Sequence, residues 1–200
     1  MLKIIHILPV LFLGYIIYIS RPGTSLFSLH PFCMALAYGL LMTESVLAFT
    51  NLSLWKSKSQ RFYFHWLLNV SAAIFATFGL FFIYWNKNRK GLDHYVTYHG
   101  NWGFICVIYT VTQVFAGLFL KYPSRIPKFI PYKLLKKIHS FSGVVAYFLA
   151  VVSLSLGFMS TWFQNNSHTN IEYLFIILYG GIFLYLVRQV QFKVLGRKIF

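Results

Sequence analysis

Three acidic residues, Glu44, Asp93 and Glu172, are all that this chain of 200 contains, against 18 Lys and Arg. So sparse a set leaves no carboxylate cluster to neutralise a cation at membrane depth, which is what a transition-metal transporter normally recruits. Cysteine is equally scarce. Cys33 and Cys106 both fall within apolar runs, where a free thiol packs as a small hydrophobe, so no disulfide framework is expected. Charged residues of either sign make up only 10% of the chain, which removes the ordinary soluble globular domain from consideration. Apolar residues fill the space instead: 58% of the chain is hydrophobic, 20% is aromatic, and the mean hydropathy is +0.64. These values describe a polytopic, all-α membrane protein folded as one bundle. The formal charge of +15 then reports topology, anionic headgroups and anionic substrates, and no nucleic-acid module is recognisable.

A helix needs about 20 apolar residues to cross a hydrocarbon core about 30 Å thick. Six segments qualify, at about 2–20, 28–50, 62–85, 98–120, 138–160 and 171–190. The stretch "YISRPGTS" offers no small-x-small cleavage site, so the first segment reads as a span rather than a signal peptide. Fourteen of the 18 basic residues collect on one side: Lys3; Lys56, Lys58 and Arg61; six between spans four and five; and Arg188, Lys193, Arg197 and Lys198. The other side holds Arg21, Lys87, Arg89 and Lys90. The positive-inside rule therefore puts both termini in the cytoplasm. Asn165, in Asn165-Asn166-Ser167, then lies in a non-cytoplasmic loop as a glycosylation acceptor, whereas Asn51-Leu52-Ser53 is cytoplasmic and stays unmodified.

His30, His65, His99 and His139 stand at the starts of spans two to five, 35, 34 and 40 residues apart. Successive spans run in opposite directions, so His30 and His99 belong near the outer face, and His65 and His139 near the cytoplasmic face. Any one of them alone reads as an interfacial imidazole; four at equivalent places read as two pairs at two depths. Glycine repeats the arrangement. Gly103 and Gly117 follow His99 at +4 and +18, and Gly143 and Gly157 follow His139 at the same offsets. Both offsets return to one helix face, with the second about 27 Å further along the axis. Small residues also let membrane helices pack closely, but that alone does not explain a shared offset from histidine.

Paired imidazoles at two depths suit two b-type haems, whose irons each take two axial histidines and whose propionates are met by interfacial Lys and Arg. Such sites are closed to oxygen and carry one-electron transfer. A histidine-based metal-ion or proton transporter is the alternative, and a non-catalytic membrane scaffold the third reading.

The motifs "HPFCMALAYGLLMTE", "FHWLL", "YHGNWG", "KKIHSFSGVVAY" and "SLSLGFMSTWF" together resemble the cytochrome b561 family, in its small six-span "domain-containing protein 2" type, over nearly the whole chain. The resemblance implies six transmembrane helices whose central four, spans two to five, hold two haem b groups within a single domain, 1–200. Carried over, His65 with His139 are the axial ligands on the cytoplasmic side and His30 with His99 those on the other. It implies cytoplasmic ascorbate as donor and monodehydroascorbate radical or ferric iron (Fe3+) as acceptor on the lumenal or outer side. It also favours the endoplasmic reticulum or another endomembrane, and is compatible with a homodimer among membrane lipids. Family members with a well-defined ascorbate site carry a basic residue two positions before the third-helix histidine. Here that position is Tyr63, Arg61 is the nearest base, and Lys136 and Lys137 before His139 supply the charge. Arg125 and Lys133 extend the same cytoplasmic surface, and Lys87, Asp93 and His94 mark the expected acceptor side. Asn69, at +4 from His65, shares its face, and Glu44, at +14 from His30, is expected to point into the bundle.

Overall fold

Three of the long apolar helices begin where a hydroxyl satisfies backbone donors that hydrocarbon would leave bare. Ser25 and Ser28 form a reciprocal capping box that opens α2, Leu26–Leu47. Ser57 and Gln60 do the same for α3, Lys58–Arg89, while Thr97 caps α4, Tyr98–Lys121. Pro131, its φ already at −64°, leads into α5, Tyr132–Phe158. The computed structural model describes residues 4–126, 129–168 and 170–195, and within it α1 spans Ile4–Ser20, α6 Thr161–Asn166 and α7 Ile171–Leu195. Lys3, Lys128, Arg197 and Lys198 lie outside the described residues, as do the side chains of Arg125 and Lys193.

Five of these helices, α2 to α5 and α7, are long and apolar enough to cross a membrane; α1 is a shorter apolar helix of 17 residues. Their outward faces carry Ile74, Phe78, Phe81, Ile108, Phe115, Ile177 and Leu184, all exposed and suited to acyl chains. The chain is thus a helical membrane protein. Helix and span are not the same length, however. α5 starts at Tyr132 rather than near 138, and α3 runs from 58 to 89 rather than 62 to 85, because strong helix formers such as Leu134, Leu135, Lys136 and Lys137 continue the helix outside the apolar window. His139 accordingly sits two turns inside α5.

α2, α3, α4 and α5 close into a ring, each touching its sequence neighbour, with α2 returning to α5. α1 leans on α2 and α7 on α5. Phe12 of α1 joins these outer helices, its ring 4.8 Å from Phe175, 5.2 Å from Tyr179 and 5.6 Å from Phe158, each edge-on. Within α2, Ala35–Met42 is wound as a π-helix. A π turn takes one more residue per hydrogen-bonded ring than an α turn, so it carries extra chain over the same rise.

Candidate functional site: two histidine pairs

The ring brings the four histidines together in twos. The His30 and His99 ring centres are 6.1 Å apart and those of His65 and His139 are 6.4 Å apart, with the rings nearly perpendicular in both pairs, at 76° and 85°. A metal held between two imidazole nitrogens at about 2.0–2.1 Å each, with each ring centre about 1.1 Å behind its nitrogen, separates the centres by about 6.2–6.4 Å. The His65/His139 pair falls at that span and the His30/His99 pair about 0.1 Å below it.

Hydrogen bonds orient the rings. His30 Nδ1 donates to the Gly79 carbonyl at 2.9 Å, His99 Nδ1 to the Ser153 carbonyl at 3.0 Å, and His65 Nδ1 to the Ser45 carbonyl at 3.0 Å. A carbonyl only accepts, so in these three rings Nδ1 carries a proton and a neutral imidazole keeps its lone pair on Nε2; at His65 the Asn69 Nδ2 lies 3.3 Å from that nitrogen. The His139 Nδ1 is buried and has no partner among the described residues. α3 also serves as a ruler: His30 is tied at Gly79, fourteen residues beyond His65, so the two pairs lie about 21 Å apart along the helix axis.

Glycines meet the pairs from the neighbouring helix. A Cβ on Gly157 would lie 3.1 Å from His99 Cε1, and one on Gly117 3.4 Å from His139 Cε1. Each +18 glycine therefore serves the histidine of the adjacent helix rather than that of its own. A Cβ on Gly143 would meet nothing within 4 Å, and one on Gly103 would meet only Ser153 Oγ, at 3.4 Å. Open space thus lies one turn from His139 along its own helix. Among the described residues no three His, Cys, Asp or Glu side chains gather as a metal cluster. Two imidazoles per site, Nδ1 held by a main-chain carbonyl in three of the four rings, and side-chain-free helix faces beside them suit a metal whose remaining ligands come from a flat organic ring.

The other predicted residues are more scattered. Asn69 Nδ2 donates to the His65 carbonyl and to Ser45 Oγ, bracing the helix at that histidine. Arg61 is half-buried and gives its Nε–H to the Trp55 carbonyl at 2.8 Å, while Lys136 and Lys137 are exposed. Lys87 Nζ donates to the Asp93 carbonyl, and His94 stacks on Tyr84 at 4.1 Å with Nε2 2.7 Å from Asn88 Oδ1. Glu44 departs from expectation: it turns to α1, where His6 Nδ1 is 2.8 Å away. The π segment between His30 and Glu44 turns less per residue than an α-helix, so a projection at 3.6 residues per turn misplaces that side chain. Sequence reasoning also passed over Lys121, whose Nζ lies 3.2 Å over the Trp66 ring, next to His65.

Residues 29–164, which contain all four histidines, match the sequence profile described as eukaryotic cytochrome b561. The chain belongs to the cytochrome b561 family. It is 36% identical over 196 residues to a transmembrane reductase, CYB561D2, of Bos taurus, covering 96% of this chain and 88% of the relative. Identity is 34% over 196 residues to a probable transmembrane reductase, CYB561D1, of Mus musculus, covering 96% and 85%. A more distant relative is a probable ascorbate-specific transmembrane electron transporter of Oryza sativa subsp. japonica, 24% identical over 174 residues, covering 78% and 70%. Membership in this family implies haem b as the cofactor.

Proposed function

We propose that this chain is a transmembrane di-haem reductase that carries electrons from cytoplasmic ascorbate to monodehydroascorbate radical or ferric iron on the lumenal or outer side. The observation that carries this reading is the pair of imidazole couples, each at metal-bridging separation and about 21 Å apart along the bundle. In this reading, residues 1–200 act as one domain that crosses an endomembrane, that of the endoplasmic reticulum or a vesicle, six times with both termini in the cytoplasm. His65 and His139 hold the cytoplasmic haem, and His30 and His99 the other. Support for the donor comes from the basic side chains at the His65/His139 end and from the rice relative, whose printed name is ascorbate-specific. The names of the mammalian relatives support reductase activity.

Haem b, held by His65 with His139 and by His30 with His99, would supply one-electron oxidation and reduction. The protein does the rest. The Gly79, Ser45 and Ser153 carbonyls hold Nδ1–H and so present Nε2 in a fixed direction, which also raises ligand basicity. Arg61, Lys136 and Lys137 concentrate an anionic reductant at the cytoplasmic face and neutralise it on docking. Lys121, held over Trp66, adds positive charge beside the same pair.

Purified protein is expected to be red, with two haems per chain and a b-type spectrum on reduction; a colourless, correctly inserted protein overturns the reading. His139→Leu is expected to lose one haem of the two and keep the other, and equal loss of both rejects the pairing.

A further inference from the structure

α2 with α3, and α4 with α5, form two hairpins built on one register. His30 is anchored at Gly79, fourteen residues after His65; His99 is anchored at Ser153, fourteen after His139; His65 is anchored at Ser45, fifteen after His30, with the π segment absorbing the added residue. The fourth anchor falls on α4, fourteen residues after His99, and the residue there is Gln113. Its side-chain Oε1 and the His139 Nδ1 are both buried and both without a partner among the described residues. The amide is already tethered beside that histidine: Gln113 Nε2 donates to Ser142 Oγ at 2.8 Å, and Ser142 Oγ donates to the His139 carbonyl at 3.3 Å. One turn further along α4, Gly117 lets the His139 ring lie against the helix.

We infer that Gln113 is the positioning residue of His139, its amide oxygen accepting the Nδ1–H that main-chain carbonyls accept from the other three histidines. A donor and an acceptor each left buried and unsatisfied are costly, and their union removes both penalties. The terminal torsion of an amide is broad, so the Gln113 amide and the Ser142 hydroxyl can turn together to bring the oxygen toward Nδ1–H. With Ser142 holding Nε2, the oxygen is the amide atom that remains for His139. An acceptor on Nδ1–H makes the imidazole a stronger electron donor and favours the oxidised state of whatever metal it binds. The cytoplasmic site is then the one whose electron affinity a side chain sets.

This inference rests on His139 being a haem ligand, so the test separates the two. Gln113→Leu and Gln113→Glu are purified with haem, haem content is measured, and both haems are titrated optically against ambient potential. Gln113→Leu is expected to raise the reduced-to-oxidised ratio of the haem that His139→Leu removes, at fixed potential, by about fivefold, the equilibrium equivalent of one ordinary hydrogen bond. Gln113→Glu is expected to lower the same ratio, and the second haem is expected to hold its value in both. No shift with full haem content, equal shifts in both haems, or shifts of the same sign in the two variants overturn the inference. If Gln113→Leu loses haem, Gln113→Glu decides alone: a lowered ratio supports the assignment and an unchanged one rejects it. Retention of both haems in His139→Leu defeats the ligand reading itself.

Discussion

A hydrogen bond joins His6 of α1 to Glu44 of α2. His6 Nε2 donates to the Leu52 carbonyl at 2.9 Å, so it carries a hydrogen, and Nδ1 faces the Glu44 carboxyl at 2.8 Å. Either the imidazole is charged and the carboxylate ionised, or the carboxylic acid donates to a neutral ring; both forms satisfy the contact. Because Glu44 turns to α1, its role is to fasten that helix. Glu44→Leu is expected to cost about 1–3 kcal/mol of stability, the penalty for stranding the His6 nitrogen, while Glu44→Gln costs less. Thermal unfolding in detergent measures the difference, and a changed haem redox titration in Glu44→Gln would instead tie the carboxyl to the electron path. The gathering of the four histidines into two pairs was legible from their spacing along successive spans. Their anchors were not, because a main-chain carbonyl leaves no mark in residue identity. Gln113 did leave one, at the same +14 offset that Gly79 and Ser153 occupy, but the rule is visible only after the hydrogen bonds are drawn.

At the scale of elements, the π segment decides two things at once. It swings Glu44 toward α1 and brings the Ser45 carbonyl to His65. Nothing in "ALAYGLLM" distinguishes it from ordinary helix, so neither consequence was readable beforehand. Gly39, within that segment, is where three helices meet: its carbonyl accepts from Tyr179 of α7 at 3.1 Å, and a Cβ there would overlap the Phe12 ring of α1. Gly39→Val is therefore expected to lower stability by about 1–3 kcal/mol through overpacking. The histidine pairs lie on other helix faces, so the variant is expected to keep its full haem spectrum at room temperature while its thermal midpoint falls. Loss of haem before loss of the fold would contradict this division of labour.

On the scale of the whole molecule, the apolar windows located every long helix but not its ends, since helices project past hydrocarbon where Lys and Gln sustain them. The proposed direction of insertion rests on the distribution of Lys and Arg. It predicts that proteoliposomes with ascorbate sealed on the Arg61/Lys136/Lys137 side reduce an external ferric chelate. Arg61→Ala with Lys136→Ala and Lys137→Ala is expected to weaken the dependence on ascorbate concentration several-fold without changing haem content, in keeping with steering by surface charge that salt suppresses. Electron transfer that ignores both the triple variant and salt would move the donor site elsewhere.

Within α2/α3, both imidazoles are hydrogen-bonded to their own hairpin, and each then faces an imidazole of the other hairpin. Each hairpin can thus set its rings before the two halves meet, and the seam between them is where the pairs form. A ribosome releasing this chain completes the His30/His99 couple in sequence once α4 is made, yet His99 gains its Ser153 anchor only with α5. Neither couple is finished until the last wall of the ring has entered the membrane.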